Sequence, residues 1–120
     1  MLDRMCVLVV EADAFLAIDV GLEIEAMGGR PVGPVVNVDE AIDVLDAGSV
    51  GAAVVNSDVE GHVEHLIERL NGGQLPHVTH SSSGRLPFNS AAQVPHFTRP
   101  LDPRLLLQSL LCEVARRDGN

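Results

Sequence analysis

Short apolar runs recur along this chain, and the segments between them are patterned for helices. "MCVLVV" (5–10) puts apolar side chains at consecutive positions, as a strand buried on both faces does. Asp13 stands where a helix cap is needed; a helix is predicted over 14–27, and "MGG" stops it. "RPVGPVV" reads as a short strand, and Pro34, which lacks a ladder donor, puts it at the sheet edge. Asp39 is expected to cap a second helix through "EAIDVLDAG", ending at Gly48. "GAAVV" (51–55) is the next buried strand. Val63, Leu66, Ile67 and Leu70 fall at i, i+3, i+4 and i+7, an amphipathic helix closed by "NGG". "PHVTHS" and "VPHFT" supply a fourth and a fifth strand. Asp102 caps a last helix, with Pro103 in its first turn and arginines at its C-terminal end. Between strands four and five, "SSGRLPFNSAAQ" has little helical pattern and contains Pro87; it is expected to be irregular, with one helical turn at most.

Strands that alternate with helices build a parallel sheet covered on both faces. The expected fold is therefore α/β, one doubly wound five-stranded sheet spanning residues 1–120. The spacing suits the flavodoxin-like strand order 2-1-3-4-5, in which the site lies beyond the carboxyl ends of the central strands. That gathers Glu11, Ala12 and Asp13 (after strand one), Asn56 (after strand three), Ser81 (after strand four) and Arg99 (after strand five) around one pocket.

Composition narrows the partners. A net charge of −9 disfavours nucleic acid and anionic membranes, and the absence of Trp and Tyr removes most stacking platforms for bases. No apolar run approaches the roughly 20 residues of a membrane span, and the N-terminus lacks a small-residue cleavage site, so a cytoplasmic location is expected. Cys6 and Cys112 lie far apart in apolar surroundings and are expected to be two buried free thiols.

"VLVVEAD", "AAVVNSDVEG", "HVTHS" and "FTRPLDP" together resemble the receiver domain of two-component response regulators, over essentially the whole chain. The resemblance implies a single-domain, compact receiver with a shortened helix between strands four and five and no output domain. It also implies a chemistry. In receivers an Asp after strand three accepts a phosphoryl group. Mg²⁺ is held by that Asp, by an acidic side chain after strand one and by a carbonyl two residues past the acceptor. A lysine, a Thr or Ser and an inward-turning aromatic complete the set.

Residue by residue, this chain departs from that pattern. Asn56 occupies the acceptor position, and an amide is neither charged nor nucleophilic. Ala12 stands where the direct Mg²⁺ ligand is expected, while Glu11 keeps the outer acidic position. Asp58 would offer the carbonyl. Arg99 replaces lysine with a planar fork. Ser81 keeps the hydroxyl, and His96 takes the place of the switching aromatic. The implied module is a degenerate receiver that is not an enzyme, has Mg²⁺ affinity lost or very weak, and acts by protein–protein contact. Arg99 is expected to bond Glu11 or the Asn56 amide oxygen.

Other readings of the same residues carry less. His62 and His65 pair at i, i+3 on a helix without a third ligand, as a solvated face does. His77 and His80 alternate on a strand and read as packing or hydrogen-bonding groups. "SSSG" lacks the lysine of a phosphate loop, and no His–Asp pattern supports Ser81 as a nucleophile. The functional alternatives are phosphorylation at a substitute acceptor, Asp58 or Asp13, and a flavodoxin-like small-ligand binder, which the scarcity of aromatics disfavours for a flavin. The expected partners are another signalling protein or a second copy of the chain. For the latter, Phe15, Ile18 and Leu22 form a second apolar stripe on the first helix, and Leu105 and Leu111 lie beside it on the last.

Overall fold

Among the described residues, four strands and three helices alternate ahead of a last strand and helix. The computed structural model describes residues 1–82 and 95–118. Within them run β1 (Cys6–Val10), α1 (Ala14–Ala26), β2 (Arg30–Val35), α2 (Val38–Asp46), β3 (Ala52–Asn56), α3 (Val63–Gly72), β4 (His77–Ser81), β5 (His96–Thr98) and α4 (Pro103–Asp118). All strand pairings are parallel, and the sheet order is β2-β1-β3-β4-β5. The expected doubly wound receiver-type fold is the observed one. The stretch 83–94, where the irregular segment and the shortened helix were expected, lies outside the described residues.

Period-two alternation in the central strands divides the core. Val7 and Val9 of β1, Ala52 and Val54 of β3 and Val78 of β4 face one way, against Ala17, Val20 and Ile24 of α1 and Leu106, Leu107, Leu110 and Val114 of α4. Leu8, Val10, Ala53 and Val55 face the other way, against Val38, Ala41 and Leu45 of α2 and Val63, Leu66, Ile67 and Leu70 of α3. Continuous apolar strands thus arise because both faces are covered. β2, carrying Pro31 and Pro34, is indeed an edge, and its register with β1 shifts between Leu8 and Val10.

The caps account for most helix starts. Asp13 accepts from the backbone N–H of Phe15 and Leu16. Asp102 accepts from Arg104 N–H at 2.9 Å. The cap of α2 is a correction: Asn37, not Asp39, is the N-cap, accepting from Glu40 N–H at 2.9 Å, and Asp39 lies in the first turn, where its charge meets the positive helix end. Gly28 (φ 84°) ends α1 in the left-handed region. Gly61 (φ 113°) has no room for a Cβ, which would approach Val38 Cβ to 2.8 Å, and so lets the β3–α3 loop close on the start of α2.

Two surface expectations also change. Both cysteines are free, but Cys6 is half-buried and Cys112 is exposed, on the outer side of α4. Leu111 is half-buried and packed on the core, so it leaves the apolar stripe; Phe15, Ile18, Leu22 and Leu105 are exposed as expected. Among the described residues, no helix is long and apolar enough to cross a membrane.

Candidate functional site

At the carboxyl ends of the strands, the apolar layer beneath α1 and α4 gives way to three buried polar groups. Glu11 continues the series Val7–Val9, Asn56 continues Ala52–Val54, and His80 follows Val78. Asn56 and His80 are register partners on adjacent strands. Glu11 is 2%, Asn56 8% and His80 1% exposed. Asn56 Nδ2 donates to Glu11 Oε2 at 2.9 Å, and the Asp13 N–H donates to the same oxygen at 3.0 Å. Glu11 Oε1 lies 3.2 Å from His80 Nε2. That contact is close but off the hydrogen-bonding direction, and His80 Nδ1 has no partner among the described residues. Asn56 Oδ1 accepts from the Asp58 N–H at 2.8 Å, which fixes the orientation of the amide.

Charge balance follows from this geometry. Burial raises the Glu11 carboxyl pKa, but the His80 contact, the Asp13 amide, the Asn56 amide and the imidazole's charge together lower it further, so the carboxyl lies below its ordinary 4.5. His80 reads from the sequence as a packing or hydrogen-bonding group, without a named partner; its place beside Glu11 was missed. The available signal was its place two residues after Val78, on the face Asn56 continues.

A second layer surrounds this cluster. Asp13, besides capping α1, has Oδ2 3.7 Å from Arg99 Nη2, and both side chains are nearly half-exposed. Arg99 therefore meets Asp13 and neither Glu11 nor the Asn56 oxygen, which corrects the expected pairing. Asp58 Oδ2 accepts from Ser82 N–H at 2.8 Å and from Ser82 Oγ at 2.9 Å, tying the β3 loop to the end of β4. Ala12 is exposed between these loops.

His96 is held by two hydroxyls of β4. Its Nδ1 is 2.6 Å from Thr79 Oγ1 and its Nε2 3.1 Å from Ser81 Oγ, with donor and acceptor roles set by the tautomer. Burial first, then the neighbouring His80, pushes the His96 pKa down, against an upward pull from Asp58. The Ser81–His96 contact was not foreseen, because β4 and β5 are brought together only by the sheet. Ser81 is wholly buried, however, so its hydroxyl meets no substrate from outside. His62 and His65 stand exposed with rings 5.4 Å apart. Among the described residues, no three His, Cys, Asp or Glu side chains form a metal-binding group.

No protein-family model matches the sequence, and no curated protein is significantly similar to it. Solved structures are similar in fold. The signal receiver domain of a modulated diguanylate cyclase from Desulfovibrio desulfuricans G20 superposes with a TM-score of 0.80 at 23% identity, covering 98% of each chain. A sensor protein from Polaromonas sp. JS666 gives 0.78 at 25% identity, over 94% of this chain and 98% of the other. The beryllofluoride-activated NtrC4 receiver domain dimer gives 0.78 at 14% identity, over 92% and 97%. The fold is that of response-regulator receiver domains.

Proposed function

We propose that this chain is a receiver-type signalling module that neither accepts a phosphoryl group nor uses Mg²⁺, and acts through contact with another protein. The observation that carries this reading is the Asn56 amide bonded to buried Glu11, with His80 on the other carboxylate oxygen. Where an acceptor carboxylate would stand there is a neutral donor, and its oxygen is committed to Asp58 N–H. Glu11 Oε2 already accepts from two donors, Oε1 is enclosed beside His80, and Ala12 offers no oxygen. Mg²⁺ favours one or two free carboxylates and several waters, a set these residues do not provide. The fold, the lack of a catalytic constellation among the described residues, and the likeness to receiver domains of sensory proteins support a signalling role in a two-component or phosphorelay pathway.

The test is incubation with acetyl phosphate and Mg²⁺, followed by intact-mass measurement. No added phosphoryl group is expected. A saturable single addition mapped to Asp58 or Asp13 would establish the substitute-acceptor alternative instead. Millimolar Mg²⁺ should also leave the melting temperature unchanged, since only a ligand of the native state raises it.

A further inference from the structure

Two imidazoles flank this pocket, and their surroundings differ. His80 is enclosed beside Glu11, whereas His96 on β5 is half-buried and bridges two hydroxyls of β4. Thr79 is 2% and Ser81 0% exposed, so water does not serve these hydroxyls, and neither has a second partner among the described residues. A neutral imidazole has one N–H and one bare nitrogen. It suits the bridge: the N–H donates to one hydroxyl, and the bare nitrogen accepts from the other. An imidazolium has two N–H groups and no acceptor. Both hydroxyls must then accept, and the hydroxyl proton that the bare nitrogen had taken is left buried without an acceptor, which is costly. We propose that His96 is a proton-operated latch: Thr79 and Ser81 clasp the neutral ring, and a proton on the ring releases it from β4 toward solvent and shifts β5, so that a proton, and not a phosphoryl group at residue 56, sets the state of this edge of the pocket.

The neighbouring charges favour the same two states. Among the described residues, the titratable groups that act on His96 are His80 from β4 and Asp58 from the loop after β3. Burial and His80 both oppose a charge on the clasped ring and hold its pKa below the ordinary 6.5. Asp58 pulls the other way. Its exposed carboxylate now accepts from the N–H and Oγ of Ser82, and a released, charged ring gains its attraction together with hydration. The nearby charges past β5 are engaged elsewhere: Arg99 lies against Asp13, and Asp102 caps α4. β5 is three residues long and stands at the edge of the sheet, paired with β4, so its shift disturbs little of the ladder. This assignment rests on the reading of the chain as a module that takes no phosphoryl group, and it names the input that replaces one.

The experiment is an NMR titration of the full chain from about pH 8 to about pH 5, following histidine ring nitrogens and backbone amides in the same samples. At the upper end His96 is expected as one neutral tautomer with both nitrogens hydrogen-bonded. It should titrate below 6.5, and the amides of Thr79, Ser81 and residues 96–98 should move with the same midpoint. Thr79→Val with Ser81→Ala removes the clasp, and the His96 midpoint should rise by roughly half to one pH unit, as loss of one net hydrogen bond to the neutral form does. Ser81→Ala alone is read the same way if the double variant does not fold. His80→Gln should also raise the midpoint, and His96→Phe should abolish the joint movement of the amides. A ring that titrates while those amides stay still, a midpoint unmoved by loss of the hydroxyls, or the same amide movement in His96→Phe would overturn the proposal. Acetyl phosphate labelling of the same sample separates the two readings: an unlabelled protein without the joint movement removes only the latch, and a labelled protein removes the functional reading.

Discussion

The Glu11–Asn56–His80 cluster and the Asp13–Asp58–Arg99 rim are neighbours in sequence and in space, yet their charges are handled in opposite ways. The inner groups are almost wholly buried, and their contacts are set by strand register, at 2.9 to 3.2 Å. The outer groups sit on loops and a helix cap, and the Arg99–Asp13 contact is 3.7 Å between half-exposed side chains. Inside, a missing partner cannot be replaced by water; outside, it can. The strand ends therefore hold the pocket's structural polarity, and the loops hold only its surface charge.

The most severe test of that contrast is Glu11→Ala. It leaves the buried Asn56 Nδ2 and Asp13 N–H donors without their acceptor and opens space beside His80, and should cost about 3–5 kcal/mol in urea unfolding. The milder Glu11→Gln keeps an acceptor oxygen and should fold if the first variant does not. It also exposes a pH effect. Because the folded Glu11 carboxyl lies below its ordinary 4.5, the unfolded chain takes up its proton first as pH falls. The stability it contributes is complete above 4.5 and is lost as pH drops through the lowered folded value. Glu11→Gln should flatten that part of the acid-unfolding curve, and an unchanged curve would mean the carboxylate is not held as described.

Asn56→Asp comes next. The new carboxylate keeps the bond from Asp58 N–H but sets an oxygen against Glu11 where Nδ2 had donated. A loss of about 2–3 kcal/mol at neutral pH is expected. Like charges raise one of the two pKa values, so part of the loss should return as pH falls and one carboxyl takes a proton. Mg²⁺ should not rescue this variant, because Ala12 still provides no ligand. Asn56→Asp with Ala12→Asp should gain measurable Mg²⁺ affinity by calorimetry and accept phosphate slowly. If the single variant labels as fast as the double, Ala12 does not occupy the metal position.

The same contrast explains what could be read from sequence. The sheet, its order and its buried strands follow from apolar runs and helical spacing, which are local patterns with tertiary consequences. Glu11, Asn56, Ser81 and Arg99 could be placed at strand ends because strand ends are countable. Their pairings could not. His80 reaches Glu11 only because β4 aligns it with Asn56, and His96 reaches Thr79 and Ser81 only because β5 closes on β4. Asp39 and Asn37 are both good caps two residues apart, and backbone geometry alone decided between them. Arg99 has reach enough for several acids; exposure let it settle on Asp13, the acid with an oxygen facing solvent, while Glu11 was already enclosed.

Arg99→Gln is the finest probe of the inside–outside distinction. At 3.7 Å and with both side chains more than 40% exposed, the Arg99–Asp13 contact competes with water and is screened by salt. Its removal should cost no more than about 0.5 kcal/mol and should shrink further in molar salt. Asp13→Ala should cost more, about 1 kcal/mol, because it also removes the cap that accepts from Phe15 and Leu16. That excess belongs to the helix and not to the ion pair, and a double-mutant cycle separates the two: the coupling between Arg99 and Asp13 should be only a few tenths of a kcal/mol. A coupling near that of a buried pair, about 2 kcal/mol or more, would mean that the rim is as fixed as the cluster beneath it. The strand ends would then no longer be the sole seat of the pocket's order, and Arg99 would have to be counted among the groups that hold Asp13 and the start of α1 in place.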